Sequence, residues 1–292
     1  MSSLANKSIV VIGGTSGLGL SAAKAFIAAG ARVVVVGKSS EKIEAAKAEL
    51  GSAALALSAD ATDPNAAVAA INLAAKNFGG FHGLYHVAGG SGRKQGDGPV
   101  HSITDEGWEF TLQQNLTSLF LSNRAAIQQF LARKTGGSIL NMSSVLGFSP
   151  SPHFFATHAY AAAKAAVIGF TKSAAAYYAP MRIRLNVLAP ALVATPMSQR
   201  AQGDAEVLAF VATKQPLDGG RIGAPADLDA AAVYFMSDAA NFVTGQVLAV
   251  DGGWSVSDGQ IPVEPVPAPT AARGPSPNLV NKLASWWVKL TK

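Results

Sequence analysis

The sequence predicts an α/β fold: a doubly wound parallel sheet of about seven strands with helices on both faces. Three observations predict it. Short apolar runs recur along the chain, longer alanine-rich stretches with helical preference separate them, and the first run passes directly into a glycine-rich turn. Strands that are apolar throughout suit a sheet buried on both sides. Parallel neighbours need crossovers, which are right-handed and usually helical.

The strands are expected at Ile9–Ile12, Val33–Val36, Leu55–Ser58, Leu84–Val87, Ile139–Met142, Leu185–Leu188 and Val247–Val250. Between them, Leu18–Ala29, Glu41–Leu50 and Ala66–Phe78 have the length and residue preference of helices. Asp63 followed by Pro64 predicts an N-cap and first helical residue. One domain is expected over residues 1–254. Past Trp254, the prolines at Pro262, Pro265, Pro267, Pro269, Pro275 and Pro277 oppose regular helix and predict an extended linker over 255–277. Asn278 then caps an expected amphipathic C-terminal helix, 278–292, with Leu279, Leu283, Trp286, Trp287 and Leu290 on one face. Such a face docks on a folded protein surface, with peripheral attachment to an anionic membrane as the alternative.

With 49% hydrophobic and 14% charged residues among 292, the chain can bury one sizeable core. The 23 Lys plus Arg against 18 Asp plus Glu form no dense basic cluster, so no nucleic-acid partner is expected. Cysteine is absent, which excludes disulfides, thiolate nucleophiles and cysteine-ligated metal. The histidines lack a matching carboxylate set, so no metal site is expected. No basic leader precedes a long apolar run, and nothing approaches the roughly 18 apolar residues of a membrane span. A cytoplasmic location is the expectation.

The turn Gly13-Gly14-Thr15-Ser16-Gly17-Leu18-Gly19 lies between a strand and a helix. There, unpaired N–H groups and the positive helix end attract a pyrophosphate. At the end of the second strand a carboxylate would accept from an adenosine ribose and repel a 2′-phosphate; the residues present are Gly37, Lys38, Ser39 and Ser40, which suit the phosphate. Tyr160 and Lys164 stand one turn apart on a helical run, where an ammonium can bring a phenol's proton into useful range. Singly, these motifs also read as a tight turn, a solvated lysine and a surface tyrosine.

In order along residues 5–254, these segments resemble the short-chain dehydrogenase/reductase family. Its glycine spacing is matched by Gly13, Gly17 and Gly19. Its strand-five serine is best matched by Ser144, with Ser143 the adjacent candidate, and its helical asparagine by Asn115. The resemblance implies a Rossmann-type fold and an oxidoreductase that moves hydride between nicotinamide and a carbonyl or alcohol. In that scheme Tyr160 is general acid/base, Ser144 orients the oxygen, Lys164 binds ribose and tunes Tyr160, and Asn115 distorts its helix and holds a relay water. The residues Gly37 to Ser40 favour NADP(H), with NAD(H) the second choice. The resemblance places adenine contacts at Asp60 and Ala61, a strand-four contact at Ala88 and Gly89, and a nicotinamide turn at Pro190, Val193 and Thr195. A homo-oligomer, tetramer or dimer, is also implied, and it would receive the C-terminal helix.

The sequence departs from the family at Ile12, where threonine is frequent, at His86-Val87, where asparagines are usual, and at Ala191, a frequent glycine. His86 is therefore expected to be structural. Extra residues precede Tyr160, and His153, Phe154, Phe155 and His158 are expected to shape the substrate entrance. A non-catalytic NADP(H)-binding redox sensor or regulatory scaffold is the alternative.

Overall fold

Side chains alternate across a strand, and the core of this protein divides accordingly. The structure, a computed structural model, describes residues 3–260. In β1 (Ser8–Ile12), Ile9 and Val11 join one apolar cluster while Val10 and Ile12 join the other. β2 (Arg32–Gly37) repeats the division with Val33 and Val35 against Val34 and Val36. The first face is covered by α1 (Gly17–Ala28), α2 (Ser40–Leu50) and α9 (Asp229–Met236), through Phe26, Ala46 and Phe235. The second is covered by α3 (Ala66–Phe78), α5 (Ser118–Arg133) and α6 (His158–Tyr178), through Ile71, Phe130 and Ala175.

With β3 (Ala54–Ser58), β4 (Gly83–His86), β5 (Gly137–Met142), β6 (Ile183–Pro190) and β7 (Val247–Val250), the strands lie in the order β3-β2-β1-β4-β5-β6-β7. Every pair is parallel. The winding reverses between β1 and β4, where a crevice opens at the carboxyl ends of the strands. Val87, expected within the fourth strand, has left it. The Val87 and Ala88 N–H groups both donate to the Ile12 carbonyl, at 2.9 Å each, and so turn the chain outward.

Asp63 is not a helix cap. Its carboxylate accepts from the Asn65 N–H at 2.8 Å and closes a turn, and α3 starts only at Ala66. α4 (Asp105–Leu112) runs through a π-helical turn, Gln113–Thr117, into α5. Above the strand ends, α7 (Gln199–Gln202) and α8 (Ala205–Lys214) build a third apolar cluster with Val145, Leu192 and Trp254. The chain just past Trp254, expected as linker, stays on α8: the Ser257 hydroxyl donates to the Thr213 carbonyl at 2.6 Å, and the Lys214 ammonium donates to the Ser257 carbonyl. The prolines from Pro262 onward and the helix expected over 278–292 lie outside the described residues. Among the described residues no helix is long and apolar enough to cross a membrane.

His86 ends β4 fully buried, with Nδ1 2.7 Å from the Ser122 hydroxyl. Burial, aided by the Lys164 charge, pushes the imidazole from 6.5 down to about 3, so the ring is neutral in the folded chain. A histidine depressed in this way contributes stability that is full above its unfolded value and is lost as pH falls towards the folded value. Between about pH 7.5 and about pH 5.5, His86→Leu is therefore expected to gain roughly 1.4 kcal/mol on the wild type, whatever its packing cost. Denaturant unfolding of both proteins at the two pH values checks this; a constant difference would show that His86 titrates normally.

Candidate active site

The amino end of α1 faces the crevice without a capping side chain on Ser16 and without an acidic residue in its first turn. Its unpaired N–H groups and positive dipole end therefore remain available to an anion. Ile12 cannot pin the turn with a hydroxyl. Instead, the Gly13 and Gly14 N–H groups both donate to the Val36 carbonyl, at 2.9 and 3.1 Å, so β2 fixes the turn.

A cavity of about 510 Å³ begins here and is lined by Gly13, Thr15, Ser16, Gly17 and Leu18. Gly19, expected as a cofactor contact, is not in its wall. A Cβ there would fall 2.1 Å from the Gly13 carbonyl oxygen, so this glycine lets the helix pack against its own entry turn.

At the far side of the nucleotide end, Gly37, Lys38, Ser39, Asp60 and Ala61 line the same cavity. The Lys38 ammonium lies 3.2 Å from the Asp60 carboxylate; Lys38 is exposed and Asp60 half-buried. Burial acts to raise the Asp60 carboxyl, but hydrogen bonds from the Thr62 N–H and hydroxyl and from Lys38 outweigh it and leave the group below its ordinary value. A Cβ on Gly37 would lie 2.2 Å from the Thr15 hydroxyl oxygen, so the Thr15 side chain fills the room of a β2-terminal carboxylate. Lys42, one turn into α2, adds a second cation to this wall.

Ser144, Tyr160, Lys164 and Asn115 meet in the opposite half of the cavity, with Ala88, Gly89, Pro190, Val193 and Thr195 between the halves. The turn after β5 holds α6 in place. The Ser143 hydroxyl donates to the Lys164 carbonyl at 2.7 Å, and the Lys164 ammonium donates to the Met142 carbonyl at 3.0 Å. Ser143 is thereby occupied in the backbone. The Ser144 hydroxyl, accepting from the Leu146 N–H at 3.2 Å, is the one set beside Tyr160.

Lys164 is 3% exposed, and its ammonium sits 5.4 Å from the Tyr160 ring centre. The expected lowering of the phenol does not occur here. Burial pushes Tyr160 up to about 12, against the opposing pull of Ser144, and burial also draws Lys164 down to about 8. Desolvation sets the direction of both shifts.

Asn115 lies within the π-turn, whose Ser118 N–H reaches back to the Gln113 carbonyl. Its amide donates to the Thr111 and Gly90 carbonyls, both at 2.9 Å, and accepts from the Gly90 N–H at 3.1 Å. The helix distortion implied by the resemblance is thus present, and the side chain ties the π-turn to the segment after β4.

Of the four residues expected at the entrance, Phe155 alone lines the cavity. Phe154 packs on Phe210, with His153 edge-on to it, while His158 Nδ1 accepts from the Val100 N–H at 3.0 Å and staples a neighbouring loop. Thr195 and Ser198 form a reciprocal capping box, and a Gln215 amide clamps Leu192 by accepting from its N–H at 2.8 Å and donating to its carbonyl at 3.2 Å.

Sequence reasoning did not single out Gln215 or Asp97. Asp97, 6% exposed, accepts from the Ala159 and Tyr160 N–H groups, both at 3.0 Å, and so caps the helix that carries Tyr160 and Lys164. It precedes that helix by 62 residues at the nearer contact, so no local capping pattern could have revealed it.

Residues 13–255 match the family model described as enoyl-(acyl carrier protein) reductase. The chain is 38% identical over 260 residues to 3beta-hydroxysteroid dehydrogenase 1 of Eggerthella lenta, an alignment covering 88% of this chain and 96% of that one. It is 39% identical over 235 residues to the inactive 2-(S)-hydroxypropyl-CoM dehydrogenase 2 of Xanthobacter autotrophicus, covering 79% and 98%. Among solved structures, a short-chain type dehydrogenase/reductase from Mycobacterium ulcerans matches with a TM-score of 0.80 at 30% identity, covering 87% of this chain and 92% of that one.

The fold and the crevice are those of a nicotinamide-dependent oxidoreductase of the Rossmann type. The chain belongs to the short-chain dehydrogenase/reductase family. Its members transfer hydride between alcohol and carbonyl forms of small molecules and are commonly oligomeric.

Asp97→Ala is expected to lower stability by about 1–2 kcal/mol through loss of the cap. It should also lower kcat more than it changes the KM for cofactor, because α6 loses its anchor at Tyr160. Asp97→Asn, which keeps one acceptor oxygen, should recover part of both. Denaturant unfolding and steady-state kinetics of the two variants check this, and unchanged stability in Asp97→Ala would exclude the cap.

Proposed function

We propose that this protein is an NADP(H)-dependent oxidoreductase acting on a carbonyl or alcohol, with Tyr160 as general acid/base. One observation carries the reading: a single cavity joins the bare amino end of α1 to a wall holding Asn115, Ser144, Tyr160 and Lys164. The chain's residues fit a dinucleotide. The α1 end suits the pyrophosphate, Pro190, Val193 and Thr195 suit the nicotinamide, and the cofactor, when bound, supplies or accepts hydride.

Ser144 donates a hydrogen bond to the substrate oxygen and so favours the build-up of negative charge there during reduction. Tyr160 delivers the proton to that oxygen, and in oxidation takes it back. Lys164 has one of its three donors on the Met142 carbonyl, so the others serve ribose hydroxyls, and its charge favours phenolate as Tyr160 releases its proton. Asn115, fixed against Gly90, supports a proton path from Lys164 towards solvent. NADP(H) is supported by Lys38 and Lys42 at the adenosine end and by the absence of an acidic side chain at Gly37.

A second reading, nucleotide binding without turnover, has one observation in its favour: a relative 39% identical to this chain is described as inactive. Turnover of any carbonyl in a chemically diverse panel with NADPH and NADH decides between the two.

With an active substrate in hand, Tyr160→Phe is expected to cut kcat by at least a hundredfold while NADPH affinity stays within about twofold. Ordinary turnover by this variant would remove Tyr160 from the chemistry. Lys38→Ala is expected to lower the NADPH-to-NADH ratio of kcat/KM by about tenfold, less at high salt because Lys38 is exposed. Introducing a carboxylate by Gly37→Asp requires Thr15→Ala alongside it, given the space Thr15 fills. An unchanged ratio in Lys38→Ala would assign cofactor choice to other residues.

A further inference from the structure

The substrate end of the cavity carries two arginines that the chemistry above does not use. Arg93, in the turn after β4, and Arg200, on α7, both line it. A guanidinium Nη2 of each donates to the same acceptor, the Phe154 carbonyl oxygen, at 3.0 Å from Arg93 and 3.3 Å from Arg200. Neither forms a salt bridge among the described residues.

A guanidinium has five N–H donors, so one shared neutral carbonyl leaves most of both forks available. The two cations also repel each other: Arg93 is held below its ordinary value by burial and by Arg200, with Asp97 acting the other way. Asp97, whose two oxygens accept from the start of α6, forms no salt bridge with either arginine among the described residues. The same cavity is lined by the apolar side chains of Leu146, Phe155, Met197 and Trp254.

Resting on the oxidoreductase reading, we propose that the substrate carries an anionic oxygen group, a carboxylate or its like, which docks between Arg93 and Arg200 while its apolar body lies against Phe155 and Trp254. A planar oxyanion accepts bidentate bonds from such forks and relieves their repulsion, which a neutral group cannot do. The distance between the anion and the reacting carbon then selects the substrate's length.

The test uses the full chain with cofactor saturating, so that the phosphate cradle at α1 is filled. Calorimetric titration with benzoate and with benzamide reads the anion site without turnover. Benzoate is expected to bind at least tenfold more tightly, less so in added salt, and the advantage should vanish in the Arg93→Gln/Arg200→Gln protein. Glutamine keeps an N–H for the Phe154 carbonyl, so the loop is retained.

In turnover, 4-acetylbenzoate should exceed its methyl ester at least tenfold in kcat/KM, chiefly through KM, and the same double variant should erase the difference. Equal binding of benzoate and benzamide, equal losses on acid and ester, or a rise confined to the cofactor KM would each overturn the proposal. Selective benzoate binding without turnover of any carbonyl would instead retain the anion site and remove the oxidoreductase reading.

Discussion

Residue 164 is held from three directions at once, and the arrangement of the site depends on that clamp. Its ammonium bonds the carbonyl of Met142, the last residue of β5, and its backbone carbonyl receives the hydroxyl of Ser143. Two residues beyond Val145, a Cβ on Gly147 would lie 2.9 Å from the Lys164 carbonyl carbon, so the turn presses directly on the α6 backbone. Removing an ammonium from water costs several kcal/mol even after relaxation, and the clamp is what makes that burial sustainable. The same contacts set the rotation of α6 about its axis, and with it the aim of Tyr160 one turn earlier. The other end of the helix start is fixed by Asp97, which lies in a different loop. Sheet and loop thus define one helix between them, and the helix defines the chemistry.

Much of this architecture is legible from residue order because its causes are local. Strands buried on both sides leave continuous apolar runs, and all seven appear where those runs stand. The Tyr160–Lys164 spacing is readable because a helical turn is a local rule. Other features depend on depth or on distant partners. The attraction between an ammonium and a phenol follows from their spacing, but the desolvation that raises Tyr160 and lowers Lys164 depends on how far α6 sinks into the body. Asp97, Gln215, Arg93 and Arg200 lie in loops or at helix ends, where no periodicity marks them, and each acts on a segment brought near only by folding. Gly19 shows the converse: the motif identifies the glycine, and the structure adds a packing reason for it that the motif does not carry.

Departures from the family pattern are compensated within the fold. Ile12 cannot supply a hydroxyl to the phosphate turn, and the Val36 carbonyl takes both turn N–H groups in its place. His86 stands where asparagine is usual, and two serines of α5 accommodate its ring at the price of keeping it neutral. In both cases the replacement draws on a neighbouring element already fixed by the sheet.

The π-turn at Gln113–Thr117 carries one residue more than an α-helix would need over the same rise. Deleting one of the five would let the segment close as regular α-helix, with the two flanking halves kept in the register they have now. Leu119 and Phe130 would keep their buried places on the sheet, while Asn115 would lose the wide turn that sets it against Gly90. The genetic consequence concerns length as well as identity: an in-frame loss of one codon along this stretch spares the core and costs the site.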